Sequence, residues 1–181
     1  MSENSWLDDI EKTLAHKREI HVVGLIDPIQ AYVLVKHLRY LVHVNHKRIR
    51  VYLNTQGGSV VDGLAIYDHI RQIARTTPIE IIANGVCMSM GVIILQAATQ
   101  RIALPNTRFL LHELQTQQGG SLSDVQDVVT EAGRLQVVLD SILAERTGQD
   151  IKKLRKTMKR RDYYLDAKEA LKYGLIDEIQ E

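Results

Sequence analysis

Short aliphatic runs alternate along the chain with stretches whose apolar residues recur every three or four positions. Glu19 to Leu25 reads as a strand ending in the turn-like pair Asp27-Pro28, after which Ala31, Val35, Leu38 and Leu41 mark one face of a helix. Ile49, Val51 and Leu53 alternate as a second strand that runs into Gln56, Gly57 and Gly58. Val60 to Ile73 is helical again, with Leu64, Ile66, Tyr67, Ile70 and Ile73 as its buried side. Ile79 to Ala83 predicts a third strand, Asn84-Gly85 a turn after it, and the uncharged stretch from Val92 to Ala98 a helix buried on most sides. This order predicts right-handed βαβ crossovers around a largely parallel sheet, hence the α/β class.

Two further helices bracket that pattern. Met1 to Lys17 places Trp6, Leu7, Ile10 and Leu14 near helical spacing, as a short segment that docks on a neighbour. From about Leu122 to Arg146, Val125, Val128, Val129, Leu135, Val138, Leu139, Ile142 and Leu143 exceed what one solvent-facing helix needs, so this helix wants a partner. We read residues 1–17 as an N-terminal helical segment and 18–181 as a single domain.

Composition narrows the function class. A net charge of +1 argues against nucleic-acid or membrane-surface binding driven by overall charge. The single cysteine, Cys87, excludes an intrachain disulfide framework and fits a reducing compartment. No stretch approaches the roughly 20 apolar residues of a membrane span, and Asp8, Asp9 and Glu11 stand where a signal peptide would be basic and then apolar. The expectation is a cytoplasmic protein.

Ser89 lies between the third strand and the apolar helix, an unusual place for a hydroxyl without a task. It reads as a nucleophile at a helix start, or as a plain N-cap. His112 ends the apolar run Phe109-Leu110-Leu111, where a hydrogen-bonded surface histidine is the plainer reading. Asp162 follows Arg160-Arg161 and reads alone as an exposed charge, and Gly57-Gly58 reads alone as a turn. Together they offer a nucleophile, a base, a carboxylate to orient the base, and backbone N–H groups at Gly58 and Met90 for an oxyanion hole. Cys87, two residues before Ser89, offers a thiol whose modification would block the site.

The motifs Asn54-Thr55-Gln56-Gly57-Gly58-Ser59-Val60, Gly63 with Ala65-Ile66-Tyr67-Asp68, Ser89-Met90-Gly91, Ala103 to Arg108 leading to His112, Glu145 to Gln149, Arg161-Asp162 and Ala167 to Ile176 resemble the proteolytic subunit of the Clp protease, the ClpP family. They run in the family's order from about Gly24 to Ile179. The resemblance implies an α/β fold, a ClpP/crotonase-like spiral of ββα units with a projecting handle helix at about residues 122–146. It implies a serine endopeptidase with Ser89, His112 and Asp162 as triad, Gly58 and Met90 as oxyanion hole, and neither metal nor cofactor in the subunit. In that family handles interleave between two heptameric rings around a chamber, so the resemblance implies a chamber in which polypeptides are cut with low sequence specificity. The resemblance further implies an AAA+ Clp ATPase, which uses ATP, as the partner that feeds that chamber.

Three positions depart from the family's pattern. Glu113-Leu114 follows His112 where Gln-Pro is usual, placing a carboxylate beside the base. Arg160 stands where an acidic residue commonly pairs across the ring interface, which leaves a single ring or a mixed ring with a sister ClpP-like subunit beside the double ring. The N-terminal segment leaves little room for the family's axial loop, which helps dock the ATPase. A noncatalytic ring component, a phage-type relative and a crotonase-like acyl-CoA enzyme are the alternatives of the same fold.

Overall fold

The computed structural model describes residues 5–117 and 119–181. Strand and helix alternate from β1 (Glu19–Ile26) through α2 (Pro28–Val44), β2 (Ile49–Gly58), α3 (Val60–Ile73) and β3 (Ile79–Met88) to the short α4 (Met90–Leu95), after an N-terminal α1 (Ser5–Lys17). The remainder comprises β4 (Gln100–Ala103), β5 (Arg108–Leu111), α5 (Leu122–Thr147), α6 (Ile151–Met158), β6 (Tyr163–Leu165), α7 (Ala167–Tyr173) and β7 (Glu178–Ile179). The first four residues of the expected N-terminal helix lie outside the described residues.

Local chemistry sets these boundaries. Pro28 opens α2 behind Asp27, whose side chain accepts from the amide of Gln30 at 2.7 Å. Ser59 caps α3 in the same way through Asp62. At α5, Ser121 and Asp124 satisfy each other's backbone N–H groups as a capping box, and Gly148 closes the far end in the left-handed conformation.

The sheet runs β1-β2-β3-β4-β7, with every pair along that path parallel. Central β3 buries Ile79, Ile81 and Ala83 on one face and Glu80 and Ile82 on the other, whereas β2 buries Ile49, Val51 and Leu53 on one face and leaves Arg50, Tyr52 and Asn54 half-buried on the other. The decisive irregularity is in β3. Its first half, Glu80 to Ala83, pairs with β4, and its second half, Val86 to Met88, pairs with β5. Asn84-Gly85, expected as a turn, is instead the bend at which one continuous strand changes neighbour. Gly85 supplies the positive φ of 68°, and Asn54 Oδ1 accepts from the freed amide of Val86 at 3.2 Å. Because β3 continues beyond that bend, it delivers Ser89 beside the end of β5, which delivers His112.

The long helix projects. Of α5 only Leu139, Asp140 and Leu143 are buried, while Leu122, Val129, Val137 and Val138 remain exposed. Trp6 and Ile10 of α1 are likewise exposed. Apolar faces of both helices that call for a partner at the sequence level are therefore uncovered within one chain. No helix among the described residues is long and apolar enough to cross a membrane.

Candidate active site

Ser89 occupies the single residue between β3 and α4, with φ 53° and ψ −120°. A non-glycine residue held there costs about 1–3 kcal/mol and persists only where its surroundings over-determine it. They do: its amide donates to Leu110 O at 2.9 Å, continuing the β3–β5 ladder, and all six residues of α4 behind it are buried. The capping reading fails, because the Ser89 side chain makes no cap hydrogen bond. Ser89 lines a cleft, and the N–H of Met90, first in α4, has no acceptor within the helix.

Gly57 and Gly58 are the last two residues of β2 rather than a turn. Gly57 has φ 97°, and a Cβ there would lie 2.7 Å from Ser89 Cβ and 3.0 Å from Met90 N, which shows how closely this strand end presses on the serine turn. Gly58 has φ 146°, and a Cβ there would collide with the carbonyl of Ile26 on β1. Gly58, Ser89, Met90 and His112 line one cleft of about 280 Å³. Its floor is apolar, from Val92, Ile93, Leu139, Leu143 and Met158, and Gln56, Gln115 and Gln136 edge it. Leu139 and Leu143 were legible as an i, i+4 pair on the long helix. Met158 was legible only as the end of an amphipathic turn with Leu154.

His112 follows β5 directly and is partly buried. The β5–β6 ladder is antiparallel, with Phe109 opposite Leu165, Leu110 opposite Tyr164 and Leu111 opposite Tyr163. The ladder ends at Leu111 and Tyr163, so His112 and Asp162 are the next residues beyond it on the two segments. The side chains are not engaged in this single chain. His112 Nδ1 bonds to the carbonyl of Glu113 at 2.6 Å, and exposed Asp162 accepts from Tyr164 Oη at 3.5 Å. Among the described residues no hydrogen bond joins Ser89 to His112 or His112 to Asp162.

Glu113 does not use its carboxylate on the neighbouring imidazole. Its Oε2 accepts from the backbone N–H of Arg160 at 3.0 Å, tying the residue after His112 to the loop that carries Asp162. That loop turns at Arg160 itself, at φ 57°. The Arg160 side chain makes no ion pair among the described residues, and Arg161 Nε donates to Thr157 O at 2.8 Å.

Cys87 is fully buried, and that burial pushes its thiol far above the usual range. Burial keeps this thiol from reagents in the folded chain. In native protein, Cys87 is expected to resist a maleimide or iodoacetamide under conditions that label it fully in denaturant, as read by intact mass; rapid native labelling would contradict this burial.

A family model described as Clp protease matches residues 2–181. The chain belongs to the Clp protease family. Among solved structures it is similar to an Asn-to-Asp mutant of ClpP1 from Listeria monocytogenes, at 29% identity and a TM-score of 0.87, covering 95% of this chain and 96% of that one. The mixed α/β architecture is thus the ClpP/crotonase-like fold.

Proposed function

We propose that this chain is the proteolytic subunit of an ATP-dependent Clp protease, a serine endopeptidase acting through Ser89, His112 and Asp162. The observation that carries the reading is the forked β3 strand. It brings a strained serine without a capping role to the same cleft as His112, and Asp162 immediately precedes β6, the strand paired with β5.

Ser89 Oγ attacks the scissile carbonyl while its proton passes to His112 Nε2, and the N–H groups of Gly58 and Met90 hold the oxyanion. Collapse breaks the C–N bond, His112 returns the proton to the leaving amine, and water repeats the sequence on the acyl-enzyme. For this the His112 ring must exchange its bond to the Glu113 carbonyl for one to Asp162, because a carboxylate stabilises the imidazolium that forms and a neutral carbonyl does so less well. The substrate lies extended between the segment after Gly58 and the 115–120 segment, held through its main chain, so that sequence selectivity is low. The apolar cleft floor adds a preference for an apolar side chain before the scissile bond.

The uncovered apolar residues of α5 support assembly into a heptameric ring whose handles pack on other copies or on a sister ClpP-like subunit. Arg160 and Arg161, adjacent and exposed, place like charges where two rings would meet, so a stacked double ring requires an acid from elsewhere on the opposing ring. An AAA+ Clp ATPase supplies unfolded polypeptide, and no cofactor is needed in the subunit itself.

The test is labelling with a fluorophosphonate probe across size-separated fractions, with the modified residue mapped by mass spectrometry. Labelling at Ser89 in ring-sized fractions is expected, together with turnover of leucine- or methionine-containing peptides at least about tenfold faster than aspartate-containing ones. An assembled ring unlabelled at Ser89 would establish the noncatalytic reading instead.

A further inference from the structure

Leu114, two residues beyond His112, lies in the irregular stretch between β5 and α5, where no ladder receives its backbone N–H. That N–H donates to Gln136 Oε1 of α5 at 2.6 Å. Gln136 Nε2 donates in turn to Asp140 Oδ1, one helical turn further on, at 2.7 Å. Asp140 is completely buried, and its other oxygen accepts from Arg155 Nε of α6 at 2.6 Å. The first two bonds run in one direction, amide N–H to amide oxygen and amide nitrogen to carboxylate, and the third meets them from the far side, so that the Asp140 carboxylate accepts at both ends. A primary amide is the group that can accept at one end and donate at the other, so the Gln136 orientation is fixed by its two neighbours.

The ion pair is buried on the Asp140 side only, and a carboxylate taken out of water is a poor way to stabilise a helix contact compared with an apolar residue of the same volume. Its value is positional. Each bond here fixes the next, and the last one fixes the backbone immediately after His112. Gln136 also edges the cleft that holds Ser89, so a shift in its position moves the wall on which the base is mounted.

We infer that Gln136 and Asp140 are positioning residues, forming with Arg155 a polar relay that sets the backbone after His112 and thereby aims the imidazole at Ser89. The inference rests on the protease reading. The relay also couples the base to α5 and α6, elements that contribute no group to the chemistry.

The donor–acceptor polarity supplies a rescue test. Gln136→Glu alone sets two carboxylates face to face, and Asp140→Asn alone leaves one carboxamide between two donors. The double variant Gln136→Glu/Asp140→Asn restores the relay: the introduced carboxylate accepts from Leu114 N and from the introduced amide nitrogen, whose oxygen accepts from Arg155. Gln136→Met breaks both of the Gln136 bonds without adding charge, and covers the case in which a charged single variant does not fold. Assembled protein of each variant, matched in size and circular dichroism, is assayed for peptide turnover and for the rate of fluorophosphonate labelling at Ser89. The expected result is kcat and labelling rate lower by about 10- to 100-fold in Gln136→Met and in each folded single variant. KM stays within about twofold, and the double variant returns to within about threefold of the parent. Single variants with parental kcat, or a double variant no better than its worse single, would overturn the relay while leaving the protease reading intact. A parent ring unreactive at Ser89 would overturn the protease reading and the positioning role together.

Discussion

Ser89→Ala is expected to lower peptide turnover by about 10⁴- to 10⁶-fold while leaving fold and assembly unchanged, since removing a triad nucleophile leaves only binding and oxyanion stabilisation. The side chain makes no cap bond, so its loss removes no native hydrogen bond from α4. Alanine must still accept φ 53°, a strain the serine already bears, and the change in stability should therefore be small. Purified Ser89→Ala rings compared with the parent for hydrolysis of a fluorogenic peptide provide the measurement. Residual activity within about tenfold of the parent, in protein of the same size, would remove Ser89 from the mechanism.

Gly58→Ala carries the second large effect, and it strikes stability and catalysis together. The added methyl would meet the Ile26 carbonyl, backbone that cannot yield without breaking the β1–β2 ladder, and φ 146° is unfavourable to any side chain. A cost of about 3 kcal/mol follows from strain and overpacking combined. For a domain of this size that lowers Tm by about 6–12 °C at matched protein concentration. The same displacement moves one proposed oxyanion donor, and kcat should fall by about 10²- to 10³-fold in the protein that remains folded. Gly24→Ala is the control, because Gly24 also has positive φ, at 95°, yet a Cβ there would meet nothing within 4 Å. It should lose only about 1 kcal/mol and keep its turnover. Equal losses at the two positions would show that positive φ, and not the approach of β2 to β1, controls this corner.

Much of the molecule was legible before any coordinates. The 3.6- and 2-residue periodicities gave the order of elements through α4, because each reflects one face of one segment turned to the core. The helix from Val60 to Ile73 has the predicted bounds, and the long apolar-rich helix runs from Leu122 to Thr147. The site residues were legible as types: a hydroxyl between apolar elements, glycines at a strand end, a histidine after an apolar run.

Other features were not legible. Asn84-Gly85 has the composition of a turn, and only the competing ladders of β4 and β5 keep β3 extended through it. Glu113 sits beside the base in sequence, but its oxygen is claimed by an amide 47 residues away. Gln136, Asp140 and Arg155 carry no motif, and they become a relay only when α5, α6 and the segment after His112 pack together.

By itself the sequence determined the α/β class, the Clp protease family and the residue types available for acyl transfer. Those rest on local periodicity and on short motifs whose residues are neighbours in the chain. The tertiary structure alone decided that β3 changes neighbour part-way, that His112 and Asp162 flank the paired ends of β5 and β6, and that in the single chain no hydrogen bond joins them. Those depend on which distant segments pair and where each remote donor finds its acceptor, and a one-dimensional pattern of burial does not encode that choice.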